Sequence, residues 1–122
     1  LASFNMDLGN TVEYRELVGA STAKEVLITD RAASGSATIE AVALGTKDFF
    51  AASVAEGSLG NLQFLHGTTA GNKVQFTSSR VDIGDVAYSE MQGVVMLDIP
   101  YTLVPSTSST AAEGDEFSLI YT

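Results

Sequence analysis

From Lys73 to Thr122, apolar and polar side chains alternate in short runs separated by turn residues. Val74 and Phe76 alternate with Lys73, Gln75 and Thr77. Beyond the turn-like Met91-Gln92-Gly93, Val95, Leu97, Ile99, Tyr101 and Leu103 point one way, while Met96, Asp98, Pro100 and Thr102 point the other. Phe117, Leu119 and Tyr121 close the chain with the same period. A repeat of two marks strands with one buried face.

Upstream, Phe4, Met6 and Leu8 alternate with Asn5 and Asp7, so residues 2–9 read as a strand ending at Gly9-Asn10. Residues 10–25 carry mixed charge and weak periodicity, which predicts a loop, with room for a short strand around Val12 to Leu17. Val26 to Thr29 is β-rich, and Ser36 to Leu44 is a long strand candidate. One helix is predicted between Thr46 and Glu56. Thr46 serves as N-cap, Asp48 sits near the positive helix start, and Gly57 follows as the C′ residue. Phe49, Phe50 and Val54 would form its apolar face. Leu62 and Phe64 mark another strand before the turn-rich segment Gly67 to Asn72, and the Ser, Thr and Ala-rich stretch Pro105 to Asp115 reads as an exposed loop. Many short strands with turns between them predict a mainly β chain: an antiparallel sandwich or open barrel, with the one helix covering an open end or a flank. Pro100 conflicts with a central ladder, which places its strand at an edge there or the proline at a bulge.

Composition narrows the function classes. At 122 residues the chain is one domain, spanning 1–122, and an apolar content of 45% excludes wholesale disorder. No apolar run reaches the ~20 residues that cross a bilayer, and no charged-then-apolar leader is present. The first residue is Leu1 rather than Met, which suggests a piece of a longer polypeptide. Cysteine is absent, so disulfides and thiolate chemistry are excluded. Six Lys and Arg face fifteen Asp and Glu, a formal charge of −9. That balance disfavours tight nucleic-acid binding and attraction to anionic membranes.

Candidate chemistry is thin. His66 is the sole histidine, stands at a strand end, and reads as structural. The Gly67-to-Lys73 segment superficially evokes a phosphate loop, but it lacks the Gly-Lys-Ser/Thr ending and a strand follows, so a hairpin connection is predicted. Asp82 and Asp85 flank Ile83-Gly84 without the twelve-residue calcium rhythm, which favours turn capping. Glu13 with Glu16, and Glu113 with Asp115 and Glu116, read as solvated charge. The serines have no paired base, and a carboxylate pair for sugar hydrolysis would lack any tryptophan platform. No catalytic residue, cofactor or metal ligand is assigned, and no small-molecule substrate or membrane partner is expected; the chain is expected not to be an enzyme.

A series of segments resembles one family. Leu1-Ala-Ser-Phe-Asn-Met-Asp-Leu-Gly-Asn-Thr-Val-Glu-Tyr-Arg-Glu-Leu-Val-Gly is similar to the opening of the C-terminal half of tail tube proteins from long, flexible-tailed phages. Leu27-Ile-Thr-Asp-Arg-Ala, Gly35-Ser-Ala-Thr-Ile-Glu-Ala, Thr46-Lys-Asp-Phe-Phe-Ala and His66-Gly-Thr-Thr-Ala-Gly-Asn continue the resemblance in order. Tyr88-Ser-Glu-Met-Gln-Gly-Val, Met96-Leu-Asp-Ile-Pro-Tyr and Gly114-Asp-Glu-Phe complete it over nearly the whole chain. The resemblance implies a β-sandwich flanked by a helix, in subunits that form rings and stack into a tube around DNA. Homo-oligomers, other tail proteins and passing DNA are the implied partners, and the virion tail, with host cytoplasm before assembly, the implied location. It supplies no catalytic residues. Assembly would use sheet edges and the loops Gly9 to Lys24 and Pro105 to Asp115. Net acidity suits a channel wall, with some of Glu13, Glu16, Asp82, Asp85 and Glu90 facing the lumen. A second reading is an Ig-like binding module displayed on a virion or cell surface.

Overall fold

A computed structural model describes residues 1–16, 24–55, 59–105 and 115–122. Nine strands and one short helix follow in chain order: β1 (Ser3–Asp7), β2 (Thr11–Glu16), β3 (Lys24–Asp30), β4 (Ser34–Glu40), α1 (Phe49–Val54), β5 (Gly60–His66), β6 (Val74–Ile83), β7 (Ala87–Met91), β8 (Val94–Leu103) and β9 (Ser118–Tyr121). Seven strands form one antiparallel sheet in the order β1-β4-β8-β6-β5, with β7 added to β8 and β9 to β6; β2 and β3 pair only with each other. The sheet curls into a half-barrel rather than splitting into two stacked layers, so the open-barrel expectation holds. The predicted long strand from Ser36 starts two residues earlier and stops at Glu40. Backbone turns, with Thr46 and Lys47 both donating to the Ala43 carbonyl, take over before the helix.

The alternation along β8 translates directly into the core. Leu97, Ile99, Tyr101 and Leu103 are buried, and Val95, at the strand's start, stays exposed. Met96, on the opposite face, is buried as well. Register brings Ile39, Ala37 and Gly35 of β4 opposite Leu97, Ile99 and Tyr101, and places Phe4 of β1 opposite Ala37. Phe4 then stacks on Phe64 of β5 with ring centroids 5.1 Å apart, so side chains of the two terminal strands meet across the hollow. Burying each such side chain contributes roughly 1.5–3 kcal/mol.

One irregularity bends the sheet. Gly60 pairs with Val81, and Leu62 with Ser78, so one residue of β5 opposes two of β6. This bulge shifts the inward side chains of β6 from Phe76 and Ser78 to Val81 and Ile83 and bends the strand. On its other edge, β6 pairs first with β9 through Val74–Thr77 and then with β8 through Val81–Ile83. Pro100 does not break the ladder. Its strand is central, not an edge, and its register with Ser36 is regular. The Pro100 carbonyl accepts from the Gly84 N–H at 2.9 Å. In an antiparallel strand the N and O of one residue face the same side. The missing N–H therefore faces the seam where the partner of β8 changes from β7, which ends at Asp98, to β6, which begins at Tyr101. The proline thus forgoes only the reciprocal bond to Gly84, at the last rung of the β6–β8 pairing.

The Met91-Gln92-Gly93 turn is as read: Gln92 and Gly93 have φ of 54° and 80°, the pair of positive values that a tight hairpin between β7 and β8 requires. The segment after His66 likewise joins β5 to β6 as a hairpin. The helix is shorter than expected and starts later. Asp48, not Thr46, is the N-cap, its carboxylate accepting from the Ala51 N–H at 2.9 Å. The predicted face survives in part: Phe49 lines the hollow and Phe50 packs on Tyr88 at 5.2 Å, but Val54 is 79% exposed. The C′ position assigned to Gly57 lies outside the described residues.

Inside the half-barrel, Tyr101 is 4% exposed and its hydroxyl donates to the Asn5 carbonyl at 2.8 Å. Burial pushes the phenol up to about 12. The unfolded chain releases this proton near 10, so between pH 10 and about 12 the unfolded state alone is ionised and stability falls as pH rises. Tyr101→Phe should remove that component of the alkaline slope in denaturant titrations and lose about 1 kcal/mol at neutral pH. Gly35 sits where a Cβ would strike the Asn5 carbonyl and lie 2.6 Å from the Tyr101 hydroxyl. Gly35→Ala should therefore lower unfolding free energy by about 1–3 kcal/mol, read from the urea midpoint.

Candidate assembly surface

β2 and β3 form an arm. Register places Val12 opposite Ile28 and Tyr14 opposite Val26, so these four side chains share one face, with Glu13 and Leu27 on the other. Thr11 pairs with Asp30 across a register shift, and the Thr29 hydroxyl donates to the Thr11 carbonyl at 3.3 Å. The apolar face is bare: Val12, Tyr14, Val26 and Ile28 are between 54% and 62% exposed. A two-stranded ribbon is marginal in water by itself. Four large side chains on one open face give it reason to seek a covering surface. Within residues 10–25, the short strand allowed for around Val12 to Leu17 is present as Thr11–Glu16, and Lys24 and Glu25 begin β3 rather than ending a loop. The Val12-x-Tyr14 and Val26-x-Ile28 alternation was the signal that could have revealed their pairing into one ribbon. Charged neighbours obscured that signal.

Further apolar side chains lie open on the body. β9 is exposed along its length, with Leu119, Ile120 and Tyr121 between 46% and 73% exposed, although Phe117 just before it stacks on Phe76 at 5.5 Å. The alternation read from Phe117 to Tyr121 therefore leads into the core only at its first residue.

The hollow of the half-barrel is an apolar cavity of about 340 Å³, walled by Phe4, Ile39, Phe49, Leu62, Ile83 and Tyr101 among others. Among the described residues Lys47 is the one charged side chain on its wall, its ammonium 5.5 Å from the Phe49 ring. Among the described residues no carboxylate lines this wall to form an acid–base pair with it. His66, at the end of β5, lies 6.4 Å from Phe64 in a stacked arrangement and is exposed.

The candidate carboxylates are dispersed. Asp82 pairs with Thr102 on the outward face of the sheet, Asp85 lies in the β6–β7 connection, and Glu90 opposes Val95 on the opposite face from Asp82. Glu13 is on the arm, and the side chain of Glu16 lies outside the described residues. Among the described residues neither Asp82 nor Asp85 accepts a hydrogen bond, so the capping role expected for them is not seen. Nor do three His, Asp or Glu side chains cluster as a metal would require, among those residues. Glu116 is the clearest departure. Rather than solvated charge, it is a largely covered carboxylate whose two oxygens accept from Arg31 Nη2 at 2.9 and 3.0 Å. Glu113 lies outside the described residues. No described helix is long and apolar enough to cross a membrane.

No protein-family model matches the chain, and no curated protein or solved structure matches it either.

Proposed function

We propose that this chain is a non-enzymatic structural component of a virion: a domain of a phage tail tube subunit that self-assembles into stacked rings around a DNA channel. The observation that carries the reading is the arm. Val12, Tyr14, Val26 and Ile28 line one open face of a separate ribbon, and a neighbouring subunit supplies the surface they lack. The order of segments from Leu1 to Phe117 that resembles tail tube proteins supports the same reading, as does a half-barrel whose strands β1, β5, β7 and β9 stand at sheet edges. The charge of −9 suits a conduit for DNA, since a phosphate-repelling wall does not trap the passing polymer.

Assembly is measured by sedimentation velocity over a wide concentration range and by electron microscopy of the longest polypeptide carrying this sequence. Rings or short tubes are expected. Val12→Thr with Ile28→Thr keeps strand-forming, β-branched residues while removing apolar surface, and should shift the population to monomer with the thermal melt nearly unchanged. A wild-type protein that stays monomeric throughout, or a double variant that assembles like wild type, defeats the proposal.

Asp82 and Asp85 are close in sequence and both exposed, which makes them the pair to place on the channel wall. Asp82→Lys with Asp85→Lys should slow genome ejection severalfold in virions that still assemble full-length tails. Ejection at the wild-type rate would remove these two residues from the lumen.

A further inference from the structure

The arm joins the body at two roots, and each is held. At the first, the Gly9 N–H donates to the Asp7 carboxylate at 2.9 Å, and Gly9 has φ of 57°. A Cβ at Gly9 would lie 2.5 Å from the Ala32 carbonyl, so the two roots cross in direct contact. At the second root Arg31, the residue after β3, reaches 85 positions along the chain to Glu116. Glu116 is itself immobilised from both sides. Its carbonyl accepts from the hydroxyl of Ser78, a residue 1% exposed, at 2.7 Å, and its neighbour Phe117 stacks on Phe76 in the core. The carboxylate that grips Arg31 is therefore mounted on the body, and the guanidinium that it grips is mounted on the arm.

From this geometry we infer that the Arg31–Glu116 pair is a latch that sets the direction in which the arm leaves the body. A positive-φ glycine at one root permits several chain directions, and among the described residues β2 and β3 make little other contact with the sheet, so the anchored ion pair selects among those directions. The pair is suited to this. One side chain is 13% exposed and the other 36%, so water and salt screen it less than they would an open surface pair. Arg31 and Glu116 act as positioning residues. The use of a fixed arm direction, presenting the apolar face at one angle to a neighbour, rests on the assembly reading. The latch itself does not.

Because the chain has no native cysteine, two can be introduced for spin labels without interference, at Glu13 on the arm and Glu90 on β7. Pulsed electron–electron resonance on dilute monomer then reads arm direction alone. The parent pair should give one narrow distance distribution. Arg31→Gln should broaden it at least twofold, and Glu116→Gln, which keeps the carbonyl bond from Ser78, should do the same. The reversed pair, Arg31→Glu with Glu116→Arg, should restore the narrow distribution. Circular dichroism establishes which variants fold, and should one of the glutamine variants fail, the other carries the test. An unchanged width in a folded glutamine variant overturns the latch. A reversed pair that remains broad overturns the claim that the charge pair, rather than either side chain alone, holds the arm. Failure of ring assembly with the latch intact would instead count against the assembly reading.

Discussion

The burial of one face of β8 is the constraint on which the rest of the domain depends. Leu97, Ile99, Tyr101 and Leu103 are all below 9% exposed, and the strand that carries them is paired on both edges. β4 runs along one side without a register break, and β7 and then β6 share the other. A strand so placed cannot slip by one residue without carrying its whole apolar row to the outward face. The curl follows from that fixed row: the bulge in β6 lets the strand leave β9 and join β8, and the aromatic side chains Phe4, Phe64, Phe76 and Tyr101 then converge. The seam beside Pro100 is the point where β8 changes partners, and a residue without an N–H forgoes only one terminal bond there.

The body spends its burial on this hollow and leaves much apolar surface open. Core and arm make a physical contrast. The same alternation that seals Leu97 and Ile99 in β8 leaves Val12, Tyr14, Val26 and Ile28 largely exposed, because among the described residues no second layer packs over β2 and β3. Uncovered apolar area on a ribbon is a force toward association, and the strong net negative charge opposes indiscriminate clumping. Together they favour contacts that are selected by shape and angle, which is why the anchoring of the arm roots at Gly9 and Arg31 bears on function as much as on stability.

Much of the body was legible from side-chain alternation. The β7–β8 turn was legible because Gln92-Gly93 is a dipeptide that tolerates positive φ at both positions, and the connection after His66 because a strand, not a helix, follows it. Local signals failed where two plausible groups competed. Thr46 and Asp48 both can cap a helix, and the Asp48 carboxylate won because it reaches the Ala51 N–H once the turns at Ala43 have absorbed Thr46 and Lys47. Val54 follows the apolar spacing of a helix, but six residues give it no facing element to meet.

Short-range patterning, then, was enough to determine the strand-rich class, most of the β segments and the inward row of β8, since each depends on a neighbour one or two residues away. Long-range pairing decided everything else. Whether Pro100 lies at an edge or a seam depends on which strands arrive beside it. The arm exists because Val12 meets Ile28 across the ribbon. Glu116 is a largely covered, ion-paired anchor rather than a solvated charge because the fold brings Arg31 to it, and no spacing along the chain encodes a contact between residues that distant.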